Sequence, residues 1–326
     1  MTAVDRPEVS ALLEDASSHR RELTAYCYRL LGSGAEAEDA VQETMLRAWR
    51  SADGFEGRSS LRSWLYRIAT NVCIDMQRAP QRRALPMDLG GPSHAGDDLG
   101  APLPESAWVR PVADSAVLPE SADPAELVAL RDSVRLAFVA ALQHLPPRQR
   151  AVLVLREVLD WPAAQVAELL DSTVASVNSA LARARATLSA LDLQPGTAAL
   201  EPEARPLLER YVAAFEAYDV DALVSLLHDD VTFSMPPLAF WLRGTVDVRG
   251  FYDGVGQVCR GSRIVLTRAN GSPAVAVYHP AAASGTWEPY ALHVIEVRDG
   301  RIASICHYLD TSLFPAFELP PALTAA

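Results

Sequence analysis

The sequence predicts a multidomain chain: two all-α domains, the second carrying a helix-turn-helix, followed by an α+β domain. Three observations carry this. Residues 14–83 and 126–192 repeat apolar side chains at helical spacing. Two aperiodic stretches rich in Pro, Gly and Ala, 84–125 and 193–203, part the periodic segments. From 204 to 319 amphipathic helices give way to alternating strand-like runs. Residues 1–13 and 320–326 are left as short tails.

The first domain reads as three helices. Leu23, Tyr26, Cys27, Leu30 and Leu31 form one stripe, ended by Gly32-Ser33-Gly34. Val41, Met45, Ala48 and Trp49 form the second, whose early turns carry Glu36, Glu38, Asp39 and Glu43. Acids there suit the positive end of a helix dipole. In the third, Leu61, Trp64, Leu65, Ile68, Ala69 and Val72 make the buried stripe, and Arg67, Asn71, Asp75 and Arg78 share an adjoining polar face. A short Gly/Ser loop with Phe55 and Arg58 precedes it. From Arg58 to Arg83 there are six arginines and one acid, a local balance of +5 in a chain of net charge −12. A basic face beside an aromatic loop suits a nucleic-acid strand with unstacked bases; a solvated face beside a core stripe is the alternative.

Residues 84–125 hold seven acids against Arg110 and keep no period, so they read as a flexible acidic linker with one sticky patch, Trp108-Val109. In the second domain Pro162–Leu170, the turn Asp171-Ser172-Thr173 and Val174–Leu188 form the helix-turn-helix. Val174, Val177, Leu181 and Leu188 are expected inside. Ser172, Ala175, Ser176, Ser179 and Arg183 project outward, where short polar groups can reach base edges and Arg183 or Arg185 a phosphate.

The C-terminal domain opens on Leu207, Leu208, Tyr211, Val212 and Phe215, continues through a helix at 222–227, and then alternates. The step Arg298-Asp299-Gly300-Arg301 between apolar runs predicts a hairpin.

At 326 residues, 49% hydrophobic and 21% charged, the composition is that of a soluble globular protein. No apolar run is long enough to cross a membrane and no leader pattern opens the chain, so the expectation is a cytoplasmic protein without membrane contact. All 29 basic residues are arginine. The four scattered cysteines match no metal or disulfide spacing, and neither metal nor cofactor is expected. Net acidity argues against non-specific coating of DNA, because phosphate attraction scales with the cations presented.

In order and spacing, AEAEDAVQETMLRAW, WLYRIATNVCIDMQR, LPPRQRAVLVLREVL and LARARATL resemble the sigma-70 family. More narrowly they resemble the extracytoplasmic-function sigma factors, which keep only sigma regions 2 and 4. The resemblance implies a region 2 helical bundle (14–83), a region 4 helix-turn-helix (126–192), and two macromolecular partners, core RNA polymerase and promoter DNA. Helix 37–50 would dock on the clamp helices of the polymerase's largest subunit through Glu38, Asp39, Gln42, Glu43 and Arg47. Loop 53–60, with Phe55, Arg58 and Ser59, would capture a flipped base of the minus-ten element, and Arg67, Asn71, Asp75 and Arg78 would flank the opening strand. Helix 174–188, with Ser172, Thr173, Ala175, Ser176, Ser179, Arg183 and Arg185, would read the minus-thirty-five element. Many relatives carry more Lys or Arg there than this chain, which has Asn178 and Ala180. The acidic linker would thread toward the RNA exit path.

Residues 204–319 resemble the SnoaL-like branch of the cone-shaped α+β fold. That resemblance implies a regulatory domain, packed on the sigma regions in place of a separate anti-sigma protein. It also allows a small-molecule ligand in an apolar cone lined by Tyr211, Trp241, His293, His307 and Asp310. No catalytic residues are expected. Two other readings stay open at this point. One is a helix-turn-helix regulator with a ligand-sensing C-terminal domain. The other is a SnoaL-like cyclase or isomerase fused to a DNA-targeting part.

Overall fold

A computed structural model describes residues 16–52, 55, 60–77, 83–120, 123–191, 201–282 and 285–325. The chain forms two compact units, residues 1–83 with 115–193, and residues 84–114 with 194–326.

In the first unit, α1 (Arg20–Leu31), α2 (Gly34–Ser51) and α3 (Leu61–Met76) form one half. Gly32 ends α1 at φ +72, a left-handed conformation that glycine adopts freely. Ser33 then caps α2 by accepting from the Glu36 N–H. Leu23, Tyr26, Cys27 and Leu30 of α1 are buried, and the Tyr26 hydroxyl meets Thr70 Oγ1 of α3 at 2.8 Å. The other half contains α4 (Pro124–Val134), α5 (Leu136–Leu142) and α6 (Pro147–Leu153), which runs on as a π turn through Val158. It ends with α7 (Ala163–Leu169) and α8 (Val174–Ser189).

Two buried arginines tie the halves together. Arg29 of α1 donates to Ser133 Oγ at 2.6 Å. Arg150 of α6 donates to Gln143 Oε1 at 2.6 Å and to the Leu30 carbonyl. Burial pushes each guanidinium down to about 10, so both stay charged at neutral pH. Truncating an acceptor would leave a buried charge with a lost partner, a large penalty.

The second unit contains α9 (Glu201–Ala217), α10 (Val220–Ser225) and α11 (Thr245–Asp253) with seven strands. These are β1 (Leu227–Ser234), β2 (Trp241–Arg243), β3 (Arg263–Ala269), β4 (Ser272–Pro280), β5 (Thr286–Arg298), β6 (Arg301–Tyr308) and β7 (Leu323–Thr324). The order is β2-β1-β6-β5-β4-β3, with β7 on β5; only β1 and β6 pair in parallel. Tyr211 and Phe215 of α9 share one core with Phe233, Phe251, Ile295 and Ile305. The expected hairpin is present: Asp299 and Gly300 both take positive φ, and Arg298 pairs with Arg301.

The structure corrects the reading of 84–125 as a flexible linker. Residues 84–114 are built into the second unit, and 115 onward into the first. Within the second unit the Ser93 N–H donates to the Trp241 carbonyl, Leu103 to Pro237, and Asn270 Oδ1 accepts from Val112. Asp114 Oδ2 binds Arg268 at 2.9 Å. Trp108 and Val109 are buried, and the Val109 carbonyl accepts from the Tyr308 hydroxyl at 3.0 Å. The segment forms a collar of irregular chain broken by 3-10 turns at Pro86–Asp88 and Glu105–Ala107, and it borrows partners from strand ends and loops. Its apolar anchors therefore stand alone, and no period betrays them.

Candidate nucleic-acid interface

The α3 helix begins at Ser60, whose side chain accepts from the Ser63 N–H at 3.1 Å. Leu65, Ala69 and Val72 are buried as expected, but the buried strip also takes Tyr66, Thr70 and Cys73 while Leu61, Trp64 and Ile68 stay half-buried. Arg67, Asn71 and Asp75 are exposed together, one turn apart. At the start of α3, Phe55 packs on Trp64 with centroids 4.9 Å apart, an aromatic platform beside that polar face. Arg58, Ser59 and Arg78 lie outside the described residues.

The polar face of α3 meets the helix-turn-helix. Arg67 Nη2 contacts both carboxylate oxygens of Asp171, at 2.7 and 2.8 Å. Gln165 Nε2 of α7 donates to Ser63 Oγ at 2.8 Å. Trp161 packs at a tilt against Tyr66 with centroids 4.9 Å apart, with the Arg62 guanidinium over both rings and its Nη2 2.9 Å from Glu22. Asp171 holds the turn at φ +47, which Asp tolerates better than most residues. Both members of the Arg67–Asp171 pair are well exposed, so it is worth a fraction of a kcal/mol to about 1 kcal/mol. Sequence spacing shows which residues share a helix face, not that Asp171, about a hundred positions on, closes over it.

On α8, Thr173 accepts from the Ser176 N–H at 3.1 Å and opens the helix. Val177, Leu181 and Ala184 are buried, Leu188 is half-buried, and Val174 is largely exposed, contrary to its expected inward packing. The reason is its place in the first turn, ahead of the stripe's contact with the rest of the fold. Thr173, Ala175, Ser176 and Ser179 are exposed, Ser172 is half-buried, and Arg183 donates to Ser179 Oγ at 2.6 Å. Arg185 departs from this face. Two residues further on, it lies about 200° round the helix from Arg183 and binds Glu157 at 2.5 Å.

On α2, Glu38, Asp39 and Gln42 are exposed and Glu43 and Arg47 half-buried. Arg47 Nε binds Glu43 at 2.6 Å and its Nη1 lies 3.7 Å from Asp75, tying α2 to the polar face of α3. Trp49, expected in the buried stripe, is 58% exposed, and Leu46 beside it is also open. Their three-residue spacing puts them in line with Gln42 and Asp39, out of phase with buried Val41, Thr44 and Ala48, which is the signal the sequence reading missed.

In the C-terminal unit the five proposed pocket residues split. Tyr211 Oη and His293 Nδ1 are 3.2 Å apart, and the rings of His293 and His307 are 3.6 Å apart, all buried. Burial pushes His293 down to about 3 and His307 well below its usual value, so both are neutral. Trp241 instead donates from Nε1 to the Gly90 carbonyl, and Asp310 binds Arg110 and caps Ser312. Neither joins the histidine pair, because both serve the collar. Among the described residues no His, Cys, Asp or Glu cluster could hold a metal, and no helix is long and apolar enough to cross a membrane.

Comparison with known proteins accounts for these parts. Family models match sigma-70 region 2 over residues 16–83, sigma-70 region 4 over 135–188 and a SnoaL-like domain over 208–305. The ECF RNA polymerase sigma factor SigG of Mycobacterium tuberculosis is 44% identical over 95% of this chain and 85% of its own length. SigJ of the same organism is 33% identical over 66% of this chain and 62% of its own. The crystal structure of SigJ aligns with a TM-score of 0.60 at 26% identity, covering 97% of this chain and all of that one. The chain therefore belongs to the ECF RNA polymerase sigma factors and carries a C-terminal SnoaL-like domain.

Proposed function

We propose that this sigma factor presents three surfaces in turn: the outer face of α2 to core RNA polymerase, the polar face of α3 to the melting promoter strand, and α8 to the upstream duplex. The observation that supports this most directly is the Arg67–Asp171 contact, which joins the α3 face to the helix-turn-helix of region 4. In this form the strand-contacting face is engaged by the chain itself. Docking on polymerase through Asp39, Gln42, Leu46 and Trp49 separates the two halves and replaces Asp171 with DNA. Exposed Trp and Leu beside polar groups make the composition of a protein-binding hot spot.

The C-terminal domain modulates this through residues 84–114. That collar is the covalent connection between the two halves of the first unit, and the domain holds it. Its release or retention sets how far region 4 can travel from region 2. In vitro transcription with core polymerase tests the reading, comparing the full chain with one ending near residue 203. Changed transcript yield at unchanged promoter choice is expected. Equal yield from both would remove the modulatory role, and absence of core-dependent transcription from either would remove the sigma assignment of the surfaces.

A further inference from the structure

Where the collar meets the end of β6, a cavity of about 280 Å3 opens within the C-terminal unit. Its walls are Leu103 and Trp108 of the collar, the Pro236-Pro237 corner after β1, and Leu309. Its charged groups are two carboxylates, Glu105 and Asp310, on either side of one guanidinium, Arg110, and Tyr308 also lines it, with its hydroxyl donated to the Val109 carbonyl. Arg110 also donates to Ser312 Oγ at 3.1 Å, and its side chain is 9% exposed against 64% for Glu105 and 31% for Asp310.

The geometry points to a binding site for a small organic cation, an ammonium group on an apolar or aromatic body. Three features select that class. Among the residues lining the cavity two acids stand against one arginine, an excess of one acid. A carboxylate or phosphate ligand would have to compete with Glu105 and Asp310 for the same guanidinium and would meet like charge. An ammonium group meets the reverse: carboxylate oxygens that each accept more than one hydrogen bond, and the indole of Trp108, the aromatic side chain that attracts cations most strongly. The volume is near the lower end of ligand cavities, which suits a single ring with a short amine arm. The site is distinct from the buried histidine pair, from which Asp310 is set apart. Because the collar supplies one wall and β6 the other, an occupant bridges the two.

The test uses the full chain near pH 7.5 with three probes of one shape: phenethylammonium, neutral 2-phenylethanol and anionic phenylacetate, followed by calorimetry or saturation-transfer NMR. Phenethylammonium is expected to bind about tenfold tighter than the alcohol, with phenylacetate weakest. Glu105→Gln, which keeps an oxygen acceptor for Arg110 and removes one charge, is expected to lower ammonium affinity about tenfold when measured well below the variant's own melting temperature. Leu103→Trp, which fills the cavity, is expected to abolish it. The proposal is overturned by equal affinity for the ammonium and the alcohol, by affinity that survives both variants, or by no saturable binding below about 10 mM. None of these readouts involves polymerase or DNA, so their failure leaves the sigma assignment standing.

Discussion

The outer helix faces of the first unit and the core of the second keep their ionisable groups in opposite ways. In the first, arginines on α2, α3 and α8 lie at the surface in ion pairs: Arg47 with Asp75, Arg67 with Asp171, Arg185 with Glu157. In the second, a tyrosine and two histidines are buried together in neutral form. Surface pairs are weak and screened by salt, whereas buried neutral bases are insensitive to salt and vulnerable to acid. A protein that must expose its arginines to promoter DNA needs pairs that exchange easily. A domain that holds the connecting collar needs a core that does not.

Acid should therefore separate the units most sharply. His293 titrates near 3 in the fold but close to 6.5 when unfolded, and His307 is depressed in the same direction. Both contribute full stability above pH 6.5, where folded and unfolded states are equally neutral. That stability falls as the pH drops from 6.5 toward the folded values, because only the unfolded chain takes up the protons. At pH 5 the loss from His293 is roughly 2 kcal/mol, and His307 adds to it in the same direction. Thermal melts followed by tyrosine and tryptophan signals should show the C-terminal unit destabilising below pH 6.5, and His293→Gln with His307→Phe should flatten that slope. A pH-independent melt would break the comparison.

The next effect in size belongs to α2. Trp49→Ala should weaken core-polymerase binding about tenfold or more, as expected for an exposed indole at the centre of a contact, while leaving the melting temperature near wild type. Fluorescence anisotropy of labelled chain against core polymerase measures it. Smaller again is Arg183→Ala on α8, expected to weaken upstream duplex binding by the holoenzyme several-fold on every sequence and to reduce the salt slope by about 1. Arg185→Ala, on the other flank, should change that slope little. Smallest is Asp171→Asn, which keeps a residue suited to φ +47 and removes the carboxylate that pairs with Arg67. Free chain should then bind a minus-ten single strand up to about fivefold better, with the gain vanishing at high salt.

These contrasts also show what the residues disclose before folding. Arg67, Asn71 and Asp75 were legible because helical periodicity alone places them on one face, and the hairpin at Asp299-Gly300 because its turn chemistry is local. The collar was not. Trp108, Val109 and Val112 are single anchors in an extended run, and their partners Tyr308 and Asn270 are more than 150 positions away. Asp310 lines a cavity other than the one expected, for the same reason: its partner Arg110 sits in the segment read as linker. Trp49 was assigned to the core because an apolar side chain near a stripe defaults inward, and only the phase of Leu46 with it argues otherwise.

The proposed strand-contacting helix is α3, and Asn71 probes it with least disturbance, since it is exposed on that face and no helix cap depends on it. Permanganate reactivity of promoter thymines with reconstituted holoenzyme reads strand opening directly. Asn71→Ala should cut that reactivity about tenfold, the effect of losing one polar contact made only to the opened strand, with core affinity unchanged. Wild-type reactivity, or an equal fall in core affinity, would contradict the assignment.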